Sequence, residues 1–379
     1  MRKKTISKAD RVVVKIGTSL LVDVSGRIKG RRLAGFAAQI HDLMNAGKEI
    51  VIVTSGAIGI GLRRMGIHQR PQSMPLLQAA AAVGQNILMN AYQKAFSKYR
   101  VVSAQVLLTH DGLKDRTRFL NARHTIRTLL SRGIVPVINE NDTVAIDEMK
   151  IGDNDTLSAL VTTVVEADLL ILLSDIDGFM TGDPRKEKDA QIISEVKKIT
   201  PEIRKMARPV SGGFGVGGLV TKLNAAEIVT RSGEGFLIAN GKTADVLRRL
   251  FDGETLGTFF HPQSEKLQGR KRWLAFNRRI RSHVTVDSGA VKALVKKHSS
   301  LLPIGVRACE GTFRRGDTIM IRDESGNEIA RGIVNYSSTE VDKIKGVKSS
   351  RIASILGYQD YDEIIHRDNL VIMNSGDTQ

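Results

Sequence analysis

The segment VVVKIGTS, from Val12 to Ser19, has the composition of a buried strand that runs into a glycine turn. β-Branched residues favour strands, and Gly17 allows a tight turn that presents backbone amides to an anion. Lys15 at the strand end would add a positive charge, and Thr18 a hydroxyl. The segment therefore predicts a strand whose carboxyl end receives phosphate, although a lysine that only reaches solvent there would give the same pattern.

Short apolar runs of this kind alternate with segments of helical length up to about residue 250. This alternation is typical of crossover units and a parallel sheet. We therefore predict an α/β fold, a three-layer sandwich with a mainly parallel central sheet. The predicted strands are Arg11–Ile16, Glu49–Thr54, Val101–Leu108, Ile134–Asn139, Asp168–Ser174 and Glu234–Ala239. The predicted helices are Ile28–Ala46, Pro75–Tyr99, Arg116–Ser131, Asn154–Glu166 and Gly218–Arg231.

A change in composition after Phe260 marks a second domain. The segment HPQSEKLQGRKRW is polar and basic, and short strand-like runs separated by turn signals follow it. A chain of 379 residues allows two or three domains. We predict a catalytic domain at residues 1–260, a basic linker at residues 261–277, and a small, mostly β domain with the C-terminal tail at residues 278–379.

The charge and cysteine content restrict the partners and the compartment. A net charge of +17 suits nucleic acid, a membrane surface or anionic metabolites. Cys309 is the single cysteine of the sequence, which excludes an intramolecular disulfide and favours a cytoplasmic location. The apolar runs are far shorter than the ~20 residues of a membrane span, and the histidines lack metal-ligand spacing. We expect no membrane partner and no metal held by the protein alone.

Two further groups of residues follow predicted strands, at the carboxyl ends where open α/β sheets bind ligands. VTSGAIGIG, residues 53–61, is rich in glycine and opens a helix, whose free amides attract an anion. Ser55 there would bind a carboxylate or cap the helix. NEND, residues 139–142, and GDND, residues 152–155, carry amides and carboxylates that can hold an amino acid, with one aspartate ordering lysines or magnesium. Helix capping would also explain part of the second motif.

The last candidate loop combines LLSDIDG, residues 172–178, with SGGFGVGGLVTK, residues 211–222. Residues 213–218 match G-x-G-x-x-G, but no apolar strand precedes them closely, which favours a mobile phosphate loop over a dinucleotide site. Glycine amides and two lysines suit phosphoryl transfer, because its transition state spreads charge over phosphate oxygens that magnesium also screens.

Taken together, these motifs resemble the amino-acid kinase family over nearly the whole chain. The tail resembles the PUA domain that many bacterial members carry. The matching segments are VVVKIGTS, IVTSGAIGIG, VPVINENDTV, IGDNDTLSA, LLSDIDGFMTGDPR and SGGFGVGGLVTKLNAA, followed in the tail by VTVDSGAVKAL, SSLLPIGV, GTFRRGDTIMI and EIARGIVNYSS.

The resemblance implies an activity. It is ATP-dependent phosphorylation of the γ-carboxylate of L-glutamate to L-glutamyl 5-phosphate, the first step of proline biosynthesis, with Mg²⁺ accompanying ATP. It also implies feedback inhibition by proline, a homodimer or homotetramer, and functional contact with glutamyl phosphate reductase.

The resemblance also implies residue roles in this sequence. Lys15 and Lys222 would stabilise the transferring phosphoryl group, and Asp155 would hold both lysines. The residues implied for glutamate are Ser55, Gly56, Ala57, Asn139, Asp142, Asp153 and Asn154. Those implied for ATP are Lys15, Gly17, Thr18, Ser174, Asp175, Val216, Gly217, Gly218, Leu219, Val220, Thr221 and Lys222.

Two positions depart from the pattern of the family. Val216 stands where a threonine is common, so only backbone contacts to nucleotide are expected there. Ser174 replaces a frequent threonine and keeps the hydroxyl.

A second class of function stays open from the sequence. The basic cluster from Arg270 to Arg281, the net charge and the PUA-like tail are also compatible with an RNA-binding or RNA-modification protein. The positive charge is spread over both parts of the chain, which does not favour that alternative, and fold alone does not establish function.

Overall fold

The computed structural model describes residues 2–144, 154–181, 189–207, 218–263, 280 and 282–373. The chain divides into two units, residues 1–266 and 267–379. Each unit has its own sheet and its own hydrophobic core.

The first unit is built on an eight-stranded sheet with the strand order β3-β4-β2-β1-β5-β7-β8-β6. Within the described residues, the pairing is parallel except between β7 and β8. The strands are β1 (Arg11–Ile16), β2 (Glu49–Val53), β3 (Ser103–Leu108), β4 (Val135–Glu140), β5 (Leu169–Ser174), β6 (Glu195–Val196), β7 (Gly235–Asn240) and β8 (Thr258–Phe260).

The central strands are buried on both faces, which explains their continuous apolar sequences. All six residues of β5, LLILLS, are buried. In β1, Lys15 pairs with Val53 of β2 and with Leu172 of β5. Because the three strands are parallel and in this register, their carboxyl ends lie at one edge of the sheet. The residues that follow these strands are therefore brought to the same place.

Helices cover the sheet. The helices α3 and α5 contribute most of the apolar side chains that pack on it in the main core cluster. The helices are α1 (Arg2–Ser7), α2 (Thr18–Leu21), α3 (Gly30–Asn45), α4 (Ala57–Arg64), α5 (Met74–Ser97), α6 (Arg116–Ser131), α7 (Asn154–Val165), α8 (Pro201–Met206), α9 (Leu219–Arg231) and α10 (Val246–Phe251).

Helices α4 and α5 approach each other closely because glycines line their contact. A Cβ atom at Gly61 would lie 1.7 Å from the carbonyl oxygen of Ala80. A Cβ atom at Gly84 would lie 1.8 Å from the carbonyl oxygen of Ala57. Real atoms cannot approach so closely, so the packing of α4, which begins directly after Gly56, depends on these two glycines.

Gly84→Ala is expected to lower the free energy of unfolding by about 1–3 kcal/mol, because the added methyl group must push two helix backbones apart. Gly35→Ala is the matched control, since Gly35 is an exposed helical glycine of α3 with no heavy atom within 4 Å of a new Cβ. That change should raise stability by about 0.5–1 kcal/mol through helix propensity. Urea denaturation measures both, and equal stability of Gly84→Ala and the parent chain would contradict the close contact.

The second unit holds a five-stranded sheet with the order β10-β9-β11-β12-β13. In the part of the unit that is described, β9 and β11 are parallel and the other neighbours are antiparallel. Its strands are β9 (His283–Val286), β10 (Val306–Glu310), β11 (Thr318–Arg322), β12 (Glu328–Ile333) and β13 (Leu370–Ile372), and its helices are α11 (Ser288–Lys297), α12 (Ser338–Ile344) and α13 (Ile352–Leu356).

The α/β fold with a mainly parallel sheet and the mostly β second unit are confirmed. All six predicted strands and all five predicted helices exist, with ends that differ by at most two residues. The short elements α1, α10, β6 and β8 were not predicted, because two to six residues carry little periodic signal. Among the described residues, no helix combines the length and the apolarity needed to cross a membrane.

Candidate active site

A buried aspartate between two lysines lies at the carboxyl edge of the first sheet. Asp155, in the first turn of α7, accepts a hydrogen bond from Lys15 Nζ at 2.6 Å through Oδ1. It accepts another from Lys222 Nζ, on α9, at 3.0 Å through Oδ2. Thr221 Oγ1 also donates to Oδ2 at 2.9 Å. Residues from a strand and two helices, far apart in sequence, thus form one charged cluster.

This cluster carries a net positive charge in a buried place. Lys15, Asp155 and Lys222 expose only 7%, 2% and 6% of their surfaces. Burial raises the pKa of the Asp155 carboxyl, but the ammonium groups of Lys15 and Lys222 outweigh burial and hold that pKa well below its usual range. One carboxylate therefore faces two ammonium groups, and the surplus positive charge is available to an anion.

Gly17 brings the end of β1 close to β5. Its amide donates to Leu173 O at 3.0 Å, so this N–H takes part in the sheet and is not free for phosphate. A Cβ atom at this position would lie 3.2 Å from the same oxygen and 4.0 Å from Lys15 Nζ, so the residue keeps space beside the lysine. Thr18, which follows, is exposed at the start of α2.

Asn154 joins the ends of three elements. Its Nδ2 donates to Thr54 O at 2.6 Å, to Ser55 Oγ at 3.0 Å and to Asn139 Oδ1 at 2.8 Å. Asn139 in turn donates to Gln85 Oε1 of α5 at 2.8 Å. Two hydrogens serve three acceptors around Asn154, so the network has spare acceptor capacity that a ligand can use.

The start of α4 lies beside this network. Gly56, its N-cap, has φ of +109° and makes no side-chain cap. A Cβ atom there would lie 2.9 Å from Val22 Cγ2. Both the left-handed backbone and the lack of space require glycine. The sequence prediction that this glycine-rich turn leads into a helix is confirmed, and Ala57 is buried in its first turn.

A cavity of about 320 Å³ opens next to the end of β4. Asp142 lines it together with Glu140, and both side chains are buried. Burial, reinforced by the negative charge of Glu140, raises the pKa of Asp142 to about 7, while Arg70 lowers it. The remaining lining residues include Gln85, Asn86, Gln105 and Thr143.

The residues predicted to bind nucleotide make fewer hydrogen bonds to one another than those around Asp155 and Asn154. Ser174, buried at the end of β5, donates to Asp175 Oδ1 at 3.3 Å, and Asp175 itself is exposed. Gly218 caps α9 without a side-chain hydrogen bond, and Val220 is exposed beside it. Leu219 is half-buried. The predicted residues Asp153, Val216 and Gly217 lie outside the described residues, as does most of the basic cluster near Arg272.

Several residues of the site carried no signal in the sequence. Gln85 and Tyr92 are helical residues without a motif, yet the first holds Asn139 and the second donates to Thr54 Oγ1 at 2.9 Å. His110 contacts Glu140 from the end of β3. A polar side chain inside an apolar stretch is the signal that could have drawn attention to Gln85.

The described residues do not form a preassembled metal site. No group of three or more His, Cys, Asp or Glu side chains in the described part of the chain could hold a metal ion. Both oxygens of Asp155 already have lysine partners. A divalent ion would therefore depend on phosphate oxygens for its ligands, as Mg²⁺ commonly does, and no residue of this chain is assigned to it.

Comparison with known proteins agrees with the fold. The model of the amino acid kinase family matches residues 10–240, and that of the PUA domain matches residues 282–356. The chain belongs to the amino acid kinase family. Among members of this family, the chain is similar over nearly its full length to proteins named glutamate 5-kinase. It is 48% identical to the glutamate 5-kinase of Caldanaerobacter subterraneus subsp. tengcongensis over 367 residues, 97% of this chain and 99% of that one.

One further relative and one solved structure are also similar to this chain. The chain is 49% identical to the glutamate 5-kinase of Citrifermentans bemidjiense over 373 residues, 98% of this chain and 100% of that one. Among solved structures, carbamate kinase from Giardia lamblia bound to AMP-PNP is 17% identical with a TM-score of 0.48, covering 68% of this chain and 100% of that one. The sequence-based assignment to the family is confirmed, and the relatives do not favour the RNA-binding alternative.

Proposed function

We propose that the protein transfers the γ-phosphoryl group of ATP to the γ-carboxylate of L-glutamate and releases L-glutamyl 5-phosphate and ADP. The observation that carries this proposal is the buried Lys15–Asp155–Lys222 cluster at the carboxyl edge of the sheet. The full-length similarity to relatives named glutamate 5-kinase supports the choice of glutamate.

The reaction needs positive charge more than acid or base catalysis. A carboxylate oxygen forms a bond to the γ-phosphorus, and the bond from phosphorus to the β,γ-bridging oxygen breaks with its electron pair on ADP. No proton has to move, because the attacking carboxylate is already ionised at neutral pH. Charge on the phosphoryl oxygens is stabilised by the ammonium groups of Lys15 and Lys222. Asp155 is a positioning residue, since it fixes both ammonium groups.

The polar network after β2 and β4 supplies the acceptor side. Ser55, Asn139 and Asn154 present hydroxyl and amide groups that can bind carboxylates, and Asp142 can oppose an ammonium group. Hydrogen bonds from Asn154 to Ser55 and Asn139 hold these three side chains in place before substrate binds. Such preorganisation lowers the entropic cost of aligning the two substrates. When bound with ATP, Mg²⁺ would screen the charge of the phosphates.

Glutamate-dependent ADP formation by the purified chain, with ATP and Mg²⁺, tests the proposal. Hydroxylamine should trap the acyl phosphate as a hydroxamate in equal amount. L-Glutamate should give a kcat/KM at least tenfold above that of L-aspartate or N-acetyl-L-glutamate, because one methylene or a blocked ammonium group costs about 1–3 kcal/mol. No turnover above the glutamate-free control would contradict the proposal, and trace turnover alone would favour a sensor of proline.

The remaining expectations are proposals that rest on the family resemblance. They are inhibition by proline, a homodimer or homotetramer, contact with glutamyl phosphate reductase, and the division into residues 1–260, 261–277 and 278–379. The cytoplasmic location rests on the single cysteine. Proline titration of the same assay and light scattering test the first two.

A further inference from the structure

A buried histidine–glutamate pair lies next to the proposed acceptor site. His110 follows β3, and Glu140 ends β4, the neighbouring parallel strand. His110 Nδ1 lies 2.8 Å from Glu140 Oε2, and both side chains expose less than a tenth of their surface. The amide of His110 donates to Glu140 Oε1 at 3.4 Å. A hydrogen on Nδ1 would let the imidazole donate to this carboxylate.

Glu140 shares its cavity with a second carboxyl group. Asp142 lies two residues after Glu140, lines the same cavity, and is also buried. Its Oδ1 is buried and has no hydrogen-bond partner among the described residues, and the same is true of His110 Nε2 and Glu140 Oε2.

Within the described part of the chain, the other elements around Asp142 contribute one further charge. Arg70, from the segment between α4 and α5, is exposed and acts on Asp142 through its positive charge. The residues of α5 and β3 that line the cavity are uncharged; they are Ala81, Ala82, Gln85, Asn86, Gln105 and Leu107. Among the described residues, Glu140 is thus the group whose negative charge raises the pKa of Asp142.

Given the proposed function, we propose that His110 and Glu140 are positioning residues that set the charge of Asp142 and thereby the affinity for the substrate's ammonium group. His110 holds Glu140 in place beside the cavity through its ring and its backbone amide. The Glu140 charge makes Asp142 easier to protonate, and protonated Asp142 cannot pair with an ammonium ion. The pair tunes binding of glutamate and leaves the phosphoryl transfer itself to the lysine cluster.

The sign of the pH effect follows from the proton on Asp142. With the pKa near 7, Asp142 is about nine-tenths protonated at pH 6 and ionised at pH 8. The KM for glutamate should thus be about tenfold higher at pH 6 than at pH 8, while kcat changes much less. The midpoint of this change in KM reports the pKa of Asp142 in the free enzyme.

The test is the pH profile of the KM for glutamate, measured by ADP formation in the full chain. Glu140→Gln keeps the shape of the side chain and removes its charge, so the midpoint should move down by about one pH unit. Glu254→Gln, an exposed glutamate, is the matched control and should keep the parent midpoint. Thermal melting of each variant confirms folding.

A pair of histidine variants separates positioning from packing. His110→Asn keeps an amide N–H near the place of Nδ1 and should retain the parent profile. His110→Phe keeps the bulk without the donor, so the midpoint should fall as in Glu140→Gln. A parent midpoint in both Glu140→Gln and His110→Phe overturns this inference alone. Absence of glutamate-dependent turnover in the parent protein overturns the proposed function and this inference with it.

Discussion

Lys222→Ala should lower kcat by about two to five orders of magnitude, the range known for cations that stabilise a transferring phosphoryl group. The ammonium group of Lys222 is buried beside Asp155, where the low dielectric strengthens its effect on developing charge. The same loss is expected for Lys15→Ala, on the other oxygen of the same carboxylate. We expect kcat and kcat/KM to fall together, because the interaction strengthens in the transition state.

Steady-state kinetics with saturating ATP and glutamate measures this effect. Lys98→Ala removes an exposed lysine at the end of α5 and should leave kcat unchanged. Circular dichroism should show a folded protein in each variant. A decrease below tenfold in either buried-lysine variant would remove that lysine from its assigned role.

Asp155→Asn should lower the free energy of unfolding by about 3–5 kcal/mol, because it leaves two buried ammonium groups without their counter-ion. Turnover should fall as well, since the two lysines lose the group that positions them. Asp10→Asn is the matched control. Its carboxylate pairs with Lys48 at 3.3 Å but is largely exposed, so the loss should stay below about 1 kcal/mol.

The same carboxyl gives a pH dependence of stability. The folded-state pKa of Asp155 lies below its unfolded value, so its contribution is fully present above about pH 4. That contribution is lost as the pH falls towards the folded-state pKa. Urea unfolding of the parent chain at pH 7 and pH 3 should therefore show a smaller difference in the Asp155→Asn variant. Parallel loss of stability in parent and variant would contradict the buried ion cluster.

The sequence predicted the main elements because long apolar runs and helical segments carry a strong periodic signal. The strand VVVKI and the helix Arg116–Ser131 are examples. It missed β8, a strand of three residues that pairs antiparallel with β7. Such a short strand is stabilised by its neighbours in the sheet rather than by its own sequence.

The sequence by itself determined which residue types reach the edge of the sheet, because each motif directly follows a strand. Only the tertiary structure decided which of them pair. Lys15 and Asp155 are 140 residues apart, and their contact depends on strand register and helix packing. The local sequence pattern could also not predict that the Gly17 amide donates to Leu173 O, or that His110 contacts Glu140. Contacts between distant segments depend on how the elements pack in the folded chain. Local periodicity carries information only about each element by itself.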